Sequence, residues 1–176
     1  QQRVVVGAKR SPTPIFSSYI SNIVINPYWN VPISIAKDEI APKLSENSQY
    51  LLDKNYEVLN GWQNQQVIDS AGNLDWKNPS IHRNFRIRQK PGPGNALGIV
   101  KFNMPNNWSI YLHDTPSKST FLREKRAYSH GCIRLHQPVR LAQKVLGVTP
   151  NSIEEEKLNE KFAKGKTNTV FINDDI

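Results

Sequence analysis

Hydrophobic residues along this chain follow a two-residue period more often than a helical one, so the pattern predicts mostly strands. Residues 3–7 (Arg-Val-Val-Val-Gly) are a β-branched run ended by glycine, which predicts a strand. Ser11-Pro12-Thr13-Pro14 reads as a turn, and residues 20–27 read as a returning strand, so the opening is expected to be a hairpin. Tyr28-Trp29-Asn30-Val31-Pro32 then forms an aromatic strand end closed by proline. The texture changes over residues 35–79. Ser34 is placed to cap a helix through residues 35–40, and Asn47 or Ser48 to cap another through residues 50–52. Polar sequence rich in Asn and Gln follows, holding Trp62 and Trp76. The segment 35–79 is therefore expected to be an insert, either a lid or a surface excursion with its own small anchor.

Strand character resumes over residues 85–89, where apolar and charged residues alternate, and again over 97–102. The intervening Pro91-Gly92-Pro93-Gly94 has glycines, but its prolines and the lack of a following helix argue against a phosphate-binding loop. Residues 109–113 predict a strand that delivers His113 at its end. Past residue 132, Pro138 opens a short helix over 139–146 that Gly147 closes. Ser152-Ile153-Glu154-Glu155 is a capping box for a helix reaching residue 162 or 163, and 169–172 begin a last strand. The sum is a sheet-rich α+β domain over residues 1–176.

Composition narrows the class only a little. A length of 176 residues suffices for one core, and a mean hydropathy of −0.57 fits a polar surface. No stretch approaches the roughly 20 apolar residues of a membrane span. The chain starts at Gln1 with no charged-then-apolar leader, so it is expected to be a piece of a longer protein, with any signal or anchor outside it. A net charge of +8 favours polyanionic surroundings. Arg83, Arg86, Arg88 and Lys90 alternate as on a solvated strand face, and no nucleic-acid motif accompanies them. With one cysteine, no intrachain disulfide forms.

That cysteine carries the chemistry. Cys132 lies in Ser129-His130-Gly131-Cys132-Ile133-Arg134, with His113 upstream. A thiol needs a lowered pKa or an adjacent base to attack a carbonyl, and His113 is the natural base. Gly131 permits close approach to the backbone, so the amides of Gly131 and Cys132 are candidates for an oxyanion hole. Arg134 would share a strand face with Cys132 and could bind a substrate carboxylate. Two other readings exist: a buried cysteine acting as a small hydrophobe, and a zinc site made of His113, His130, Cys132 and His136. The histidine and cysteine spacings do not suit zinc. His82 is expected on a strand surface.

The pattern of His113, fifteen residues, then Ser-His-Gly-Cys, an apolar residue and Arg resembles the signature of the L,D-transpeptidases, the YkuD-type catalytic domain. Val4-Val5-Val6-Gly7 with Thr13-Pro14, and residues 26–32, resemble that family's opening hairpin; residues 97–102 and 110–115 resemble its central strands. The insert resembles the capping subdomain of the YcbB-like branch. The resemblance implies a mixed β-sandwich with a few helices and a small, partly helical insert. It implies no cofactor and no metal, a peptidoglycan stem-peptide donor and acceptor, and a 3→3 cross-link made through a cysteine thioester with loss of D-alanine. Cys132 would be nucleophile, His113 general acid/base, and Gly131 with Cys132 the oxyanion hole. Arg134, Ser129, His130 and Tyr111 would bind or shape the substrate. The second nitrogen of His113 would face a backbone carbonyl, with Asp114 on the opposite strand face. Carbapenem-type β-lactams would acylate the thiol. A periplasmic or cell-envelope location follows, with membrane attachment only through regions outside this chain. A further apolar strand, usual in the family, would lie beyond Ile176. With the same acyl-enzyme, water as acceptor would give an L,D-carboxypeptidase, and a protein amine would give protein-to-wall attachment. From a different class, a non-catalytic wall-binding module would keep the fold without the chemistry.

Overall fold

The computed structural model describes residues 1–61, 66–69 and 71–172, so the expectation for Trp62 lies outside the described residues. In chain order the strands are β1 (Val4–Gly7), β2 (Asn22–Ile25), β3 (Trp29–Asn30), β4 (Tyr56–Asn60), β5 (Gln66–Val67), β6 (Phe85–Gln89), β7 (Val100–Asn103), β8 (Leu112–His113), β9 (Ala127–Ser129), β10 (Ile133–Leu135) and β11 (Asn168–Phe171). They form two sheets among the described residues, and the sheet-rich α+β expectation holds. The chain divides into two compact units, residues 1–27 with the chain from Pro91 onward, and Tyr28–Lys90.

The first unit holds a seven-stranded mixed sheet in the order β11-β2-β7-β8-β10-β1-β9. Its core gathers on one face, where Ile23, Ile25, Val100, Phe102 and Leu135 pack with Ala142 and Leu158. Those last two come from the helices Pro138–Val145 and Ile153–Ala163. Both helices start as expected: Pro138 opens the first, and Ser152 Oγ accepts from the Glu155 amide at 3.2 Å to cap the second. Alternate residues of β7, β8 and β10 point to the other face, and the functional side chains stand there.

The opening hairpin does not form. β1 pairs antiparallel with β10 and parallel with β9, whereas β2 pairs with β7 and β11. The segment between them is occupied elsewhere: Ser11 and Thr13 bond to residues 129 and 131. Long-range pairing wins because β2 buries Ile23 and Ile25 completely between its neighbours. The strand expected over 109–113 is also shorter, covering only Leu112–His113. Asn106 is the reason. Its side-chain amide donates to the carbonyls of Met104 and Ile110, and its oxygen accepts from the amides of Trp108 and Ile110. Both backbone groups of Ile110 are thereby taken from the ladder, and Ser109 is held at a φ of 55°.

The second unit has its own four-stranded sheet, β3-β6-β4-β5, and its own core around Val58, Ile87, Leu44 and Trp76. It is wider than 35–79, because β3 and β6 belong to it. Its first helical stretch begins at Ile33 and continues through a π-turn at Ala36–Ile40 into Ala41–Glu46, so Ser34 lies inside it and caps nothing. Pro42 explains the π-turn: it has no N–H for the carbonyl four residues back, and Ala41 donates to Ala36 instead. Neither Asn47 nor Ser48 caps the next helix, Tyr50–Asp53: its N-cap is Gln49, whose amide donates to Asn47 Oδ1 at 2.9 Å in the turn before it. His82 is not on a strand. It is buried in the helical turn Ile81–Asn84 beside Trp76, and burial lowers its pKa. Nor is the arginine row a bare solvated face: Arg83 lies in that turn, and Arg88 pairs with Glu57 and stacks over Tyr28.

Candidate active site

Cys132 ends the short loop between β9 and β10. Two of that loop's members are tied down by their own polar groups. Ser129 Oγ donates to the Cys132 carbonyl at 2.6 Å and accepts from the Gly131 amide at 3.1 Å. From the chain after β1, Thr13 Oγ1 donates to the Gly131 carbonyl at 2.7 Å while accepting from Gly7 N at 2.9 Å. Ser11 Oγ and the Ala8 amide both donate to the Ser129 carbonyl. Gly131 takes a φ of 119°, which only glycine adopts freely, and a Cβ there would come within 3.1 Å of Ile110 Cδ1. The approach of the 11–13 segment has its own requirement at Gly7, where a Cβ would lie 2.2 Å from the Ser11 carbonyl.

Strand register supplies the rest. Lys101 on β7 is opposite His113 on β8, and His113 is opposite Arg134 on β10. Register partners in a sheet share a face, so Lys101, His113 and Arg134 form a row across three adjacent strands with the imidazole in the middle. Val24 and Val5 continue the row at its two ends. Ile133 donates its amide to the Tyr111 carbonyl, which sets Cys132 next to Tyr111. The half-buried Cys132 Sγ has the Ser109 carbonyl as acceptor at 3.7 Å.

His113 is 5% exposed, and its Nδ1 meets the backbone carbonyl of Asp114. A carbonyl only accepts, so the proton sits on Nδ1 and Nε2 keeps its lone pair. The expectation of a carbonyl behind His113 therefore holds. The Asp114 carboxylate is engaged elsewhere, with the Ile99 amide and Lys118. Burial pushes the His113 pKa down to about 4; Arg134 and Lys101 push the same way, against the Asp114 carbonyl and carboxylate. The imidazole is thus neutral at pH 7. Burial raises the Cys132 pKa, opposed by hydrogen bonds to Tyr111 and by the charges of Lys101 and Arg134. The resting pair is a thiol and a neutral imidazole.

The structure brings Cys132, His113, Arg134 and Tyr111 to one place, where the Tyr111 ring stands edge-on to His113 at 5.6 Å. Ser129 is buried, and its hydroxyl serves the loop rather than an open surface. The Gly131 amide is likewise turned inward to Ser129, which removes it as a free oxyanion donor. The Cys132 amide has no acceptor among the described residues. His130 is exposed. The zinc reading finds no geometry: His136 is exposed, its ring against Phe121, and among the described residues no three His, Cys, Asp or Glu side chains gather as ligands. Sequence reasoning missed Lys101, the braces Ser11 and Thr13, and the loop organiser Asn106. The alternation Val100-Lys101-Phe102-Asn103 was the one available signal for Lys101, but it does not reveal which residues lie beside it.

Comparison with known proteins gives the chain's family. Residues 1–171 match the YkuD family, described as the L,D-transpeptidase catalytic domain. The chain is 37% identical over 175 residues to a Haemophilus influenzae protein named "Putative L,D-transpeptidase". That match covers 99% of this chain and 35% of the relative, so the chain spans about a third of the length of the curated relative it matches. With nearly its whole length matching that family's model, the chain belongs to the YkuD family of L,D-transpeptidase catalytic domains.

Proposed function

We propose that this chain transfers acyl groups between peptidoglycan stem peptides through a thioester on Cys132. The reading is supported by a braced loop that bears the only thiol and by a neutral His113, both beside Tyr111, with the His113 Nδ1 held by the Asp114 carbonyl so that Nε2 keeps its lone pair. Cys132 Sγ gives its proton to His113 Nε2 and attacks the carbonyl joining diaminopimelate to the terminal D-alanine of a tetrapeptide stem. The Cys132 amide receives the oxyanion, a contact worth about 3 kcal/mol. The C–N bond breaks, His113 returns the proton to the departing amine, and D-alanine leaves. A second stem's amine then attacks the thioester, giving its proton to His113, and the amide formed is a 3→3 cross-link while the thiol is restored. Gly131 contributes the turn and Tyr111 the pocket wall beside the thiol, with Arg134 the cation that orients the donor. His130 lies at the exposed rim. The unit Tyr28–Lys90 is read as the capping insert expected around residues 35–79. Since peptidoglycan is the substrate, the enzyme works in the bacterial cell envelope.

The test is incubation with purified disaccharide-tetrapeptides and mass analysis of the products. Cross-linked dimers with released D-alanine support the reading. Tripeptides alone would make water the acceptor and the enzyme a carboxypeptidase, and unchanged substrate would leave a wall-binding module.

A further inference from the structure

Two cations on the site face lack an anion among the described residues. Lys101 is held with Nζ 4.2 Å from the centroid of the Tyr111 ring, and among the described residues no carboxylate pairs with it. Arg134 Nε is buried and has no hydrogen-bond partner among the described residues. Burial depresses the pKa of both, and the group of opposite tendency that faces each is Cys132. An unpaired, partly desolvated cation is costly, and two on one short row are costlier. Elsewhere this chain matches its buried charges: Arg88 has Glu57, and Asp114 has Lys118. The register separates Lys101 and Arg134 by the one strand that carries His113. Neighbouring strands lie about 4.8 Å apart, so the two bases lie about 10 Å apart. Long side chains of that spacing can converge on one carboxylate beside the thiol.

We propose that Lys101 and Arg134 together form a receptor for a carboxylate of the acyl-donor peptide, with Lys101 the residue that makes the site prefer an ionised carboxylate to its neutral amide. The inference rests on Cys132 being the nucleophile. The carboxylate comes either from the donor's C-terminus or from the side chain of the residue at the scissile bond, and both present the same charge to the same pair. Lys101 is a specificity-determining residue in this account, because it meets substrate without moving a proton.

The experiment compares alkylation of Cys132 by iodoacetate and iodoacetamide in wild type, Lys101→Met and Lys101→Arg, across pH. The wild-type iodoacetate-to-iodoacetamide rate ratio should exceed that of free cysteine by about tenfold, a typical effect of one charged hydrogen bond. Lys101→Met should lose most of that excess and Lys101→Arg should keep it. Tetrapeptides carrying a C-terminal amide or an amidated diaminopimelate identify which carboxylate is bound: KM for one of them should rise in wild type and rise no further in Lys101→Met. An unchanged alkylation ratio in Lys101→Met overturns the proposal. So does an equal shift of the pH inflection for both reagents, which would place Lys101 on the thiolate instead. If wild type forms thioester normally while the ratio does not respond, the proposal fails and the nucleophile reading stands. If wild type forms no thioester, both fall.

Discussion

The loop that carries Cys132 and the row of side chains beside it are built on opposite plans. In the loop, the hydroxyls of Ser11, Thr13 and Ser129 all reach backbone groups of residues 129–132, and two glycines make the close approach possible. In the row, Lys101 and Arg134 stand without counter-ions among the described residues, around a buried neutral histidine. The first arrangement spends its polar groups on holding one atom in place; the second leaves them unspent. Satisfied groups stabilise a fold, and unsatisfied ones mark where something else binds. Variants of the two regions should therefore separate stability from activity.

The largest effect belongs to the thiol. A carbapenem should add its mass to the wild-type protein and nothing to Cys132→Ala, and an equal adduct on both would remove Cys132 from the mechanism. His113→Gln should slow acylation by about 10²-fold or more with the fold kept, read by stopped-flow acylation and circular dichroism. An unchanged rate sinks the general-base role. Loop variants come next. Thr13→Val and Ser129→Ala each leave buried backbone groups unpaired and should cost about 1–3 kcal/mol of stability along with activity. Denaturant melts that match wild type would refute the bracing. In the row, Lys101→Met should fall about tenfold in activity toward ionised donors with no loss of stability, since it removes a partly desolvated charge that no carboxylate among the described residues pairs with. A destabilised Lys101→Met would show the cation to be structural and erase the contrast.

A pH slope separates the two regions in another way. His113 has a folded pKa of about 4 against an ordinary 6.5, so as pH falls the unfolded chain takes up the proton first. Stability is fully present above about pH 6.5 and falls as pH drops toward 4, by up to roughly 3 kcal/mol. His82, also lowered by burial, adds in the same direction. Melts of His113→Gln should show a shallower slope over that window, and an identical slope would contradict the buried neutral imidazole.

Much of the site was legible in the sequence because its chemistry is local. Four residues, Ser129 to Cys132, make a turn whose composition announces a nucleophile, and the helix after Ser152 is fixed by a cap within one turn. What was not legible depends on pairing across the chain. The repeated β-branched residues of β1 and β2 suit a hairpin as well as two separate ladders, and burial of Ile23 and Ile25 decides between them. Lys101 reads as one more surface lysine until register sets it against His113. The Gly131 amide looks free until the Ser129 hydroxyl, two residues before it, turns back onto it. Asn106 shortens a strand through four hydrogen bonds that no periodicity encodes.

The central claim is that Cys132 carries the acyl group, and intact-mass measurement after brief incubation with a tetrapeptide ending in D-alanine tests it most directly. The account predicts a thioester adduct equal to the donor less D-alanine on wild type, reversed by hydroxylamine and missing from Cys132→Ala. An unmodified wild-type mass despite turnover, or the same adduct on Cys132→Ala, would contradict it.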